Sequence, residues 1–158
     1  MDSKELLTQG NNFLQVLPHC KKLGMKVITA SKGQATIELP YNPEILGIDS
    51  HGYVHGGILT TMMDTVCGFA VTSALPAQEF CPTLDLRMDH MRRASAKGSI
   101  FAWAQCYKIT RSICFTRGYA YQDDPDDPIV HCVATFVRSG KAWGKGGFVK
   151  LGAEDLLL

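Results

Sequence analysis

The segment from about Gly57 to Leu75 limits the fold of this chain more than any other part of the sequence. Its apolar residues recur around most of a helical circumference, which predicts one long helix that ends before Pro76. Because a helix that is apolar nearly all round is buried, the rest of the chain must enclose it. The apolar set is Ile58, Leu59, Met62, Met63, Val66, Phe69, Ala70, Val71 and Ala74.

A narrow stripe of small and polar residues interrupts this apolar surface at spacings of three and four, and its one charged member is Asp64. An ionised carboxylate is expensive to bury without partners, so Asp64 must either hydrogen-bond a buried group or belong to an active site. The stripe consists of Gly57, Thr61, Asp64, Thr65, Gly68 and Thr72.

The residues around this helix alternate in the pattern of β-strands, with a short amphipathic helix at the start of the chain. We therefore predict an α+β fold in which an antiparallel sheet wraps around one long central helix. The predicted order is a helix at 2–17, a hairpin of strands at 22–31 and 33–40, a loop at 41–54, the central helix, and then a meander of four strands at 82–91, 99–110, 113–122 and 129–139.

The chain has 158 residues, enough for one domain with a substantial core. We divide it into an N-terminal helix at 1–18, a main domain at 19–139 and a Gly- and Lys-rich tail at 140–158, whose structure the pattern leaves open. A net charge of +1 argues against a nucleic-acid-binding protein, and Asp64 with five Ser and Thr residues argues against a membrane span. Six cysteines without a CxxC pair, together with an acidic start, predict reduced thiols in the cytoplasm.

Two motifs together identify a resemblance: "VHGGILTTMMDTVCG", and "TLDLRMDHMRRA" about twenty residues later. In this order they resemble the PaaI-like acyl-CoA thioesterases of the hotdog-fold superfamily, over roughly residues 20–138. The most specific parts are HGG with an Asp nine positions after the His, and T-x-D-L-R-x-D-x-x-R. The resemblance implies a homodimer joined edge to edge, often paired into a homotetramer, that hydrolyses an acyl-CoA without a metal or cofactor.

The resemblance also implies roles for four residues around the reacting thioester. Asp64 matches the catalytic carboxylate, and Gly56 matches the glycine whose backbone N–H binds the thioester carbonyl. His55 matches the histidine beside that glycine, and Thr83 stands where the family has a Ser or Thr that positions the water or the carboxylate.

Five further residues are expected to contact the substrate. Asp49 occupies the position of a frequent active-site Asn, although an ionised Asp cannot donate as Asn does. Gly57 lets the backbone approach the substrate closely, and Thr61 is one of the small stripe residues that leave room for it. His90 stands at a position that is aromatic in many relatives, and Arg92 matches an arginine of the family.

Helix geometry adds a constraint on the predicted site. Gly56 and Asp64 are eight residues apart, which is about 12 Å along a helix that rises ~1.5 Å per residue. One carbonyl cannot be attacked by Asp64 while its oxygen binds the N–H of Gly56 in the same chain. We therefore expect each site to combine Asp64 of one subunit with Gly56 of the partner subunit.

Several alternatives remain open from the sequence. Asp64 could act as a nucleophile or as a general base. Arg87, Arg92, Arg93 and Lys97 could bind CoA phosphates or form a solvated face, and the spacing of His51 and His55 only weakly suggests a metal. The chain could also be a non-catalytic acyl-CoA sensor or carrier, a hotdog hydratase or dehydratase, or a structural partner acting through its tail.

Overall fold

The computed structural model describes residues 2–42, 45–48, 52–77, 79–95 and 97–140. The central helix, α3, is Gly56–Ala74, and 12 of its 19 residues are buried. It ends at Leu75, directly before Pro76, as the pattern predicts. A buried helix of this length confirms the central feature of the predicted fold.

A six-stranded sheet covers α3, and all its neighbouring strands are antiparallel. The fold is therefore α+β with one sheet wrapped around one long helix, as predicted. The strands lie in the order β1 Lys26–Ser31, β2 Gln34–Leu39, β6 Ile100–Ile109, β7 Ile113–Tyr121, β8 Val130–Val137 and β5 Thr83–His90.

The predicted meander of four strands is wrong for its first strand. β5 pairs with β8 at the far edge of the sheet, while β6 pairs with β2. The end of α3 lies at the turn between β1 and β2, where the N–H of Gly33 donates to Oγ of Ser73 at 3.1 Å. The connector after the helix then takes the chain to the far edge of the sheet, so β5 pairs with β8 before the chain returns to β2 through β6. The strands β6, β7 and β8 do form a meander.

Small side chains on the inner face of the sheet let α3 pack closely against it. Ala102, Ala104 and Ala120 are buried on this face. A Cβ atom at Gly118 would lie 2.5 Å from the carbonyl oxygen of Trp103 and 3.0 Å from Cε of Met63 on α3. Residue 118 therefore has no room for a side chain.

Two short elements differ from the sequence-based expectation. Pro18 does not only follow the first helix, α1 Ser3–Val16, but also begins a second one, α2 Pro18–Lys22, because proline suits the first turn of a helix. The predicted loop at 41–54 contains two short paired strands, β3 Leu46–Ile48 and β4 Tyr53–Val54.

All six cysteines are free thiols, and Cys20, Cys67, Cys114 and Cys132 are buried. In the part of the chain that the structure describes, no helix is long and apolar enough to cross a bilayer.

Candidate active site

Asp64 lies on α3 and is half-buried rather than enclosed. Its Oδ1 accepts a hydrogen bond of 2.8 Å from Oγ1 of Thr83, the first residue of β5. Its Oδ2 has no hydrogen-bond partner among the described residues. The structure therefore brings together the carboxylate and the hydroxyl that were predicted to act together, and leaves one carboxylate oxygen available.

Asp64 faces an open cavity of about 450 Å³ between α2, α3 and β5. Thr61, predicted to leave room for substrate, lines it. His19 carried no sequence signal, because α2 is brought beside α3 only by the tertiary fold. The lining residues are His19, Thr60, Thr61, Asp64, Thr65, Thr83 and Leu86.

The threonines of α3 in this cavity bind backbone carbonyls one turn earlier in the helix. Oγ1 of Thr60 donates to Gly56 at 3.3 Å, and Oγ1 of Thr61 donates to Gly57 at 3.0 Å. Oγ1 of Thr65 donates to Thr61 at 2.7 Å, which leaves it to accept from the Cys20 thiol 3.5 Å away. Burial raises the pKa of Cys20, so its thiol keeps the proton that it donates.

The N-terminus of α3 carries the predicted carbonyl-binding glycine. His55 caps the helix, because its Nδ1 accepts a hydrogen bond of 3.0 Å from the N–H of Gly57. The N–H of Gly56 has no partner among the described residues. Since the positive end of the helix dipole also lies here, this N–H is a free donor suited to a developing oxyanion.

The absence of a side chain at Gly57 leaves room for the His55 cap. A Cβ atom at residue 57 would lie 3.0 Å from Nδ1 and 3.2 Å from Cε1 of His55. A side chain there would push the ring away from the N–H that it accepts from. The structure therefore places Gly57 against the His55 cap, and its contact with substrate stays a prediction.

Backbone hydrogen bonds hold the turn before α3. The N–H of Val54 donates to Ala94 at 3.0 Å, and the N–H of His55 donates to Ile45 at 3.1 Å. Beside this turn the guanidinium of Arg93 lies 5.0 Å from the ring centroid of Tyr53, in a cation–π contact. The segment that leads into Gly56 is thus held by Ile45 and by Ala94.

Strand β5 connects the two halves of the predicted site within one chain. Its first residue, Thr83, binds Asp64, and its last, His90, lies beside the start of α3. A Cβ atom at Gly56 would be 3.8 Å from Cε1 of His90. The predicted substrate-binding histidine is therefore adjacent to the predicted oxyanion donor.

The arginines after β5 differ in how they are paired. Nη2 of Arg92 donates to the carbonyl of Asp127 at 2.9 Å, and its Nε lies 2.9 Å from Oδ2 of Asp127. The Nε–H is not directed at that oxygen, so this second contact is an ion pair without a hydrogen bond. Arg92 therefore ties the end of β5 to the acidic turn, while Arg93 and Lys97 have no ion pair among the described residues.

Asp49 and His51 lie outside the described residues, as does the tail from 141 onward. Within the described ranges, no three His, Cys, Asp or Glu side chains are grouped closely enough to hold a metal ion.

The comparisons with known proteins agree with the family resemblance seen in the sequence. A family model described as Thioesterase superfamily matches residues 51–129, which is half of the chain and includes Gly56, Asp64, Thr83 and His90. A Pseudomonas aeruginosa protein of known crystal structure is 47% identical with a TM-score of 0.77, over 84% of this chain and 98% of that one.

Two further relatives are more distant. The Escherichia coli PaaI protein, from the phenylacetic acid degradation operon, has a TM-score of 0.74 at 19% identity, over 87% of this chain and 96% of its own. A Halobacterium salinarum protein, provisionally named as an esterase, is 34% identical over 94 residues, which are 58% of this chain. The chain matches only 61% of that curated relative's length. The family match and the shared fold lead to one conclusion: this chain belongs to the thioesterase superfamily and has its hotdog fold.

Proposed function

We propose that this protein hydrolyses an acyl-CoA thioester to a free acid and CoA. The observation that carries the proposal is Asp64, which is oriented by Thr83, keeps one free carboxylate oxygen and faces an open cavity. The free N–H of Gly56 at the start of the same helix supports it. We further propose that the reaction takes place in the cytoplasm, where the six cysteines would stay reduced.

Each active site is proposed to need two subunits. Gly56 and Asp64 lie on one regular helix, so they are about 12 Å apart along its axis at ~1.5 Å per residue. A carbonyl carbon must come within about 3.5 Å of the attacking oxygen. The carbonyl attacked at Asp64 therefore binds the N–H of Gly56 of the partner subunit.

The position of β5 supports such a dimer. Thr83 at one end of this edge strand contacts Asp64, and His90 at the other end lies beside Gly56. If two β5 strands pair antiparallel about their common centre, Thr83 of one chain faces His90 of the partner subunit. The same two-fold axis brings the carboxylate of each chain toward the oxyanion donor of the other. We propose that such dimers pair further into tetramers.

The proposed reaction uses the carboxylate of Asp64, held by Thr83, and the backbone N–H of Gly56. Asp64 removes a proton from water as the water oxygen attacks the thioester carbon, or its free oxygen attacks that carbon directly. The N–H of Gly56 stabilises the negative charge that develops on the carbonyl oxygen. Collapse of the tetrahedral intermediate breaks the carbon–sulfur bond and releases CoA as a thiolate, which takes a proton from Asp64 or from water. On the nucleophilic route the acyl group remains as a mixed anhydride with Asp64, and water then hydrolyses this anhydride to the free acid. Thr83 holds the carboxylate in the attacking orientation.

The CoA phosphates are proposed to bind near residues 92–97, beside the N-terminus of α3. Arg93 is exposed and stacked on Tyr53, and Lys97 is exposed as well. Guanidinium and ammonium groups without carboxylate partners are suited to phosphate oxygens. Arg92 contributes mainly by anchoring this segment to Asp127.

Steady-state kinetics of the wild-type protein and Asp64→Asn, over a panel of aryl and fatty acyl-CoAs, tests the proposal. Removing a general base or nucleophile should lower kcat by about 10²- to 10⁴-fold. The exposed Asp123→Asn serves as the matched control and should keep wild-type kcat. Full kcat in Asp64→Asn would overturn the mechanism, and wild-type binding without turnover of any acyl-CoA would indicate a sensor or carrier.

A single turnover in ¹⁸O-labelled water separates the two roles of Asp64. If Asp64 is a general base, the acid released in the first turnover contains the labelled oxygen. If Asp64 is a nucleophile and water opens the mixed anhydride at the Asp64 carbonyl, that acid contains an unlabelled oxygen from the carboxylate and the label enters Asp64, so label found in Asp64 identifies the nucleophile. The same panel should include a crotonyl-type substrate, because its hydration would favour the hydratase alternative.

A further inference from the structure

The cavity at Asp64 contains a second titratable residue that no sequence motif indicated. His19 is an exposed residue of the short helix α2, and its imidazole lines the same cavity as Asp64 and Thr83. The imidazole forms no hydrogen bond with the described residues. It is therefore free to interact with whatever occupies the cavity.

The hydroxyl groups in the cavity already donate their protons in hydrogen bonds within the protein. The hydroxyls of Thr60, Thr61 and Thr65 donate to helix carbonyls, and the hydroxyl of Thr83 donates to Asp64. A hydroxyl has one proton but two lone pairs, so these oxygens can still accept hydrogen bonds. Among the described side chains that line the cavity, His19 is then the one donor available to a ligand without breaking an internal hydrogen bond.

Charge indicates which end of an acyl-CoA enters this cavity. Its lining residues in the described part of the chain include no Lys or Arg, whereas Arg93 and Lys97 lie near the N-terminus of α3. The phosphates of CoA should go to those cations. The acyl group, next to the carbonyl that Asp64 attacks, is left to occupy the cavity, with Leu86 as its apolar contact.

We infer that His19 is a specificity-determining residue, which donates a hydrogen bond to an oxygen substituent on the acyl group. This inference rests on the proposed thioesterase function. The favoured substrates are then short oxygenated acyl groups. An oxo group can only accept and so depends on His19, whereas a hydroxyl group can also donate to the threonine oxygens.

The test compares kcat/KM for acyl-CoAs that differ by one substituent: butyryl with 3-hydroxybutyryl and 3-oxobutyryl, and pentanoyl with 4-oxopentanoyl. One neutral hydrogen bond should favour at least one oxo substrate over its alkyl parent by roughly 3- to 10-fold. His19→Phe keeps a ring but loses the donor, so this preference should fall to about one. His19→Gln keeps a donor and should retain part of it.

The matched control is His131→Phe, because His131 is exposed on the outer face of the sheet, 6.0 Å from the Tyr119 ring centroid. This variant should keep the wild-type preference. Turnover of butyryl-CoA reports that each variant is folded and active. In His19→Phe, preference for the 3-hydroxy substrate should fall less than preference for the oxo substrate.

Two results would overturn the inference while leaving the proposed function intact. One is a wild-type protein that hydrolyses acyl-CoAs without preferring either oxo substrate. The other is a His19→Phe variant in which KM rises equally for every acyl-CoA, which would assign the cavity to the pantetheine arm. Failure of the wild-type protein to hydrolyse any acyl-CoA would instead reject the proposed function itself.

Discussion

The two edges of the sheet differ in whether the rest of the described chain covers them. At one edge α1 packs on β1, and Asn11 of α1 pairs with the outward-facing backbone of Val27. Its Nδ2 donates to the Val27 carbonyl at 3.0 Å, and its Oδ1 accepts from the Val27 N–H at 3.1 Å. One amide side chain thus makes the two hydrogen bonds that a neighbouring strand would make.

At the other edge, no element of the described chain pairs with the outer side of β5. Leu84 in this strand is 58% exposed, and Met91 just beyond it is 59% exposed. An open edge with exposed apolar side chains invites pairing with another chain. Because β5 also carries Thr83 and His90 at its two ends, the open edge is the one where pairing would complete the proposed active site.

Blocking the open edge should have the largest effect. Arg87→Pro and Met88→Pro remove successive backbone N–H groups near the centre of β5, and successive N–H groups of a strand point to opposite sides. One of the two variants therefore keeps the ladder to β8 and removes a donor from the outer edge only. That variant should be monomeric, and its kcat/KM should fall at least about 10²-fold, because the partner's oxyanion donor is lost.

Analytical ultracentrifugation, circular dichroism and kinetics on both proline variants check this prediction. A folded, monomeric variant with wild-type activity would refute the two-subunit site. Arg87→Ala is the control, since its ion pair with Asp89 is exposed and its backbone N–H is unchanged.

Opening the closed edge should have a smaller effect, on stability rather than catalysis. Asn11→Leu leaves the N–H and carbonyl of Val27 unpaired, which should lower the free energy of unfolding by about 1–3 kcal/mol and Tm by roughly 3–10 °C. The neighbouring Asn12 is exposed, so Asn12→Leu should leave Tm nearly unchanged. Thermal denaturation measures both, and an unchanged Tm in Asn11→Leu would show that the edge needs no such cover.

The sequence predicts elements well where a repeated pattern spans the whole element. The apolar circumference of residues 57–75 predicts α3 to within a residue at each end, and period-two alternation predicts the long strands. Pairing partners depend instead on where the chain re-enters the sheet. For this reason the meander was wrong for β5, although the strand itself was predicted.

The residues of the candidate site show the same difference between local pattern and tertiary fold. Asp64, Gly56 and Thr83 belong to motifs with fixed spacing, and the structure brings Asp64 and Thr83 into contact. His19 belongs to no motif and reaches the cavity only because α2 packs beside α3, and Leu86 belongs to the second motif, which gave no sign that its side chain lines the cavity. Local spacing therefore indicates the reacting groups, whereas the walls that select a substrate require the tertiary fold.

An ion pair holds the start of β5 at the open edge, whereas the neutral amide of Asn11 covers β1 at the closed edge. Glu79 lies in the connector before β5 and is buried. Its carboxylate accepts from Nε of Arg138 at 3.2 Å, while Nη1 of Arg138 donates to the Thr110 carbonyl. Next to this pair, the N–H of Val137 donates to Pro82 at 2.9 Å. The start of β5, including Thr83, is thus anchored by a charged contact.

The pH dependence of stability should separate the two edges. The hydrogen bond from Arg138 holds the pKa of Glu79 below its usual value. A lowered pKa in the folded state adds stability that is complete above the unfolded pKa, about 4.3 for Glu, and is lost as pH falls through the folded pKa. Glu79→Gln should therefore lower Tm by a constant amount between about pH 5 and 7, and the deficit should shrink below about pH 4.

The deficit of Asn11→Leu should persist across that range, because no titrating group faces Val27 through Asn11. Thermal denaturation of both variants from pH 3 to 7 measures the difference, and a Glu79→Gln deficit that persists at pH 3 would contradict the charged anchor.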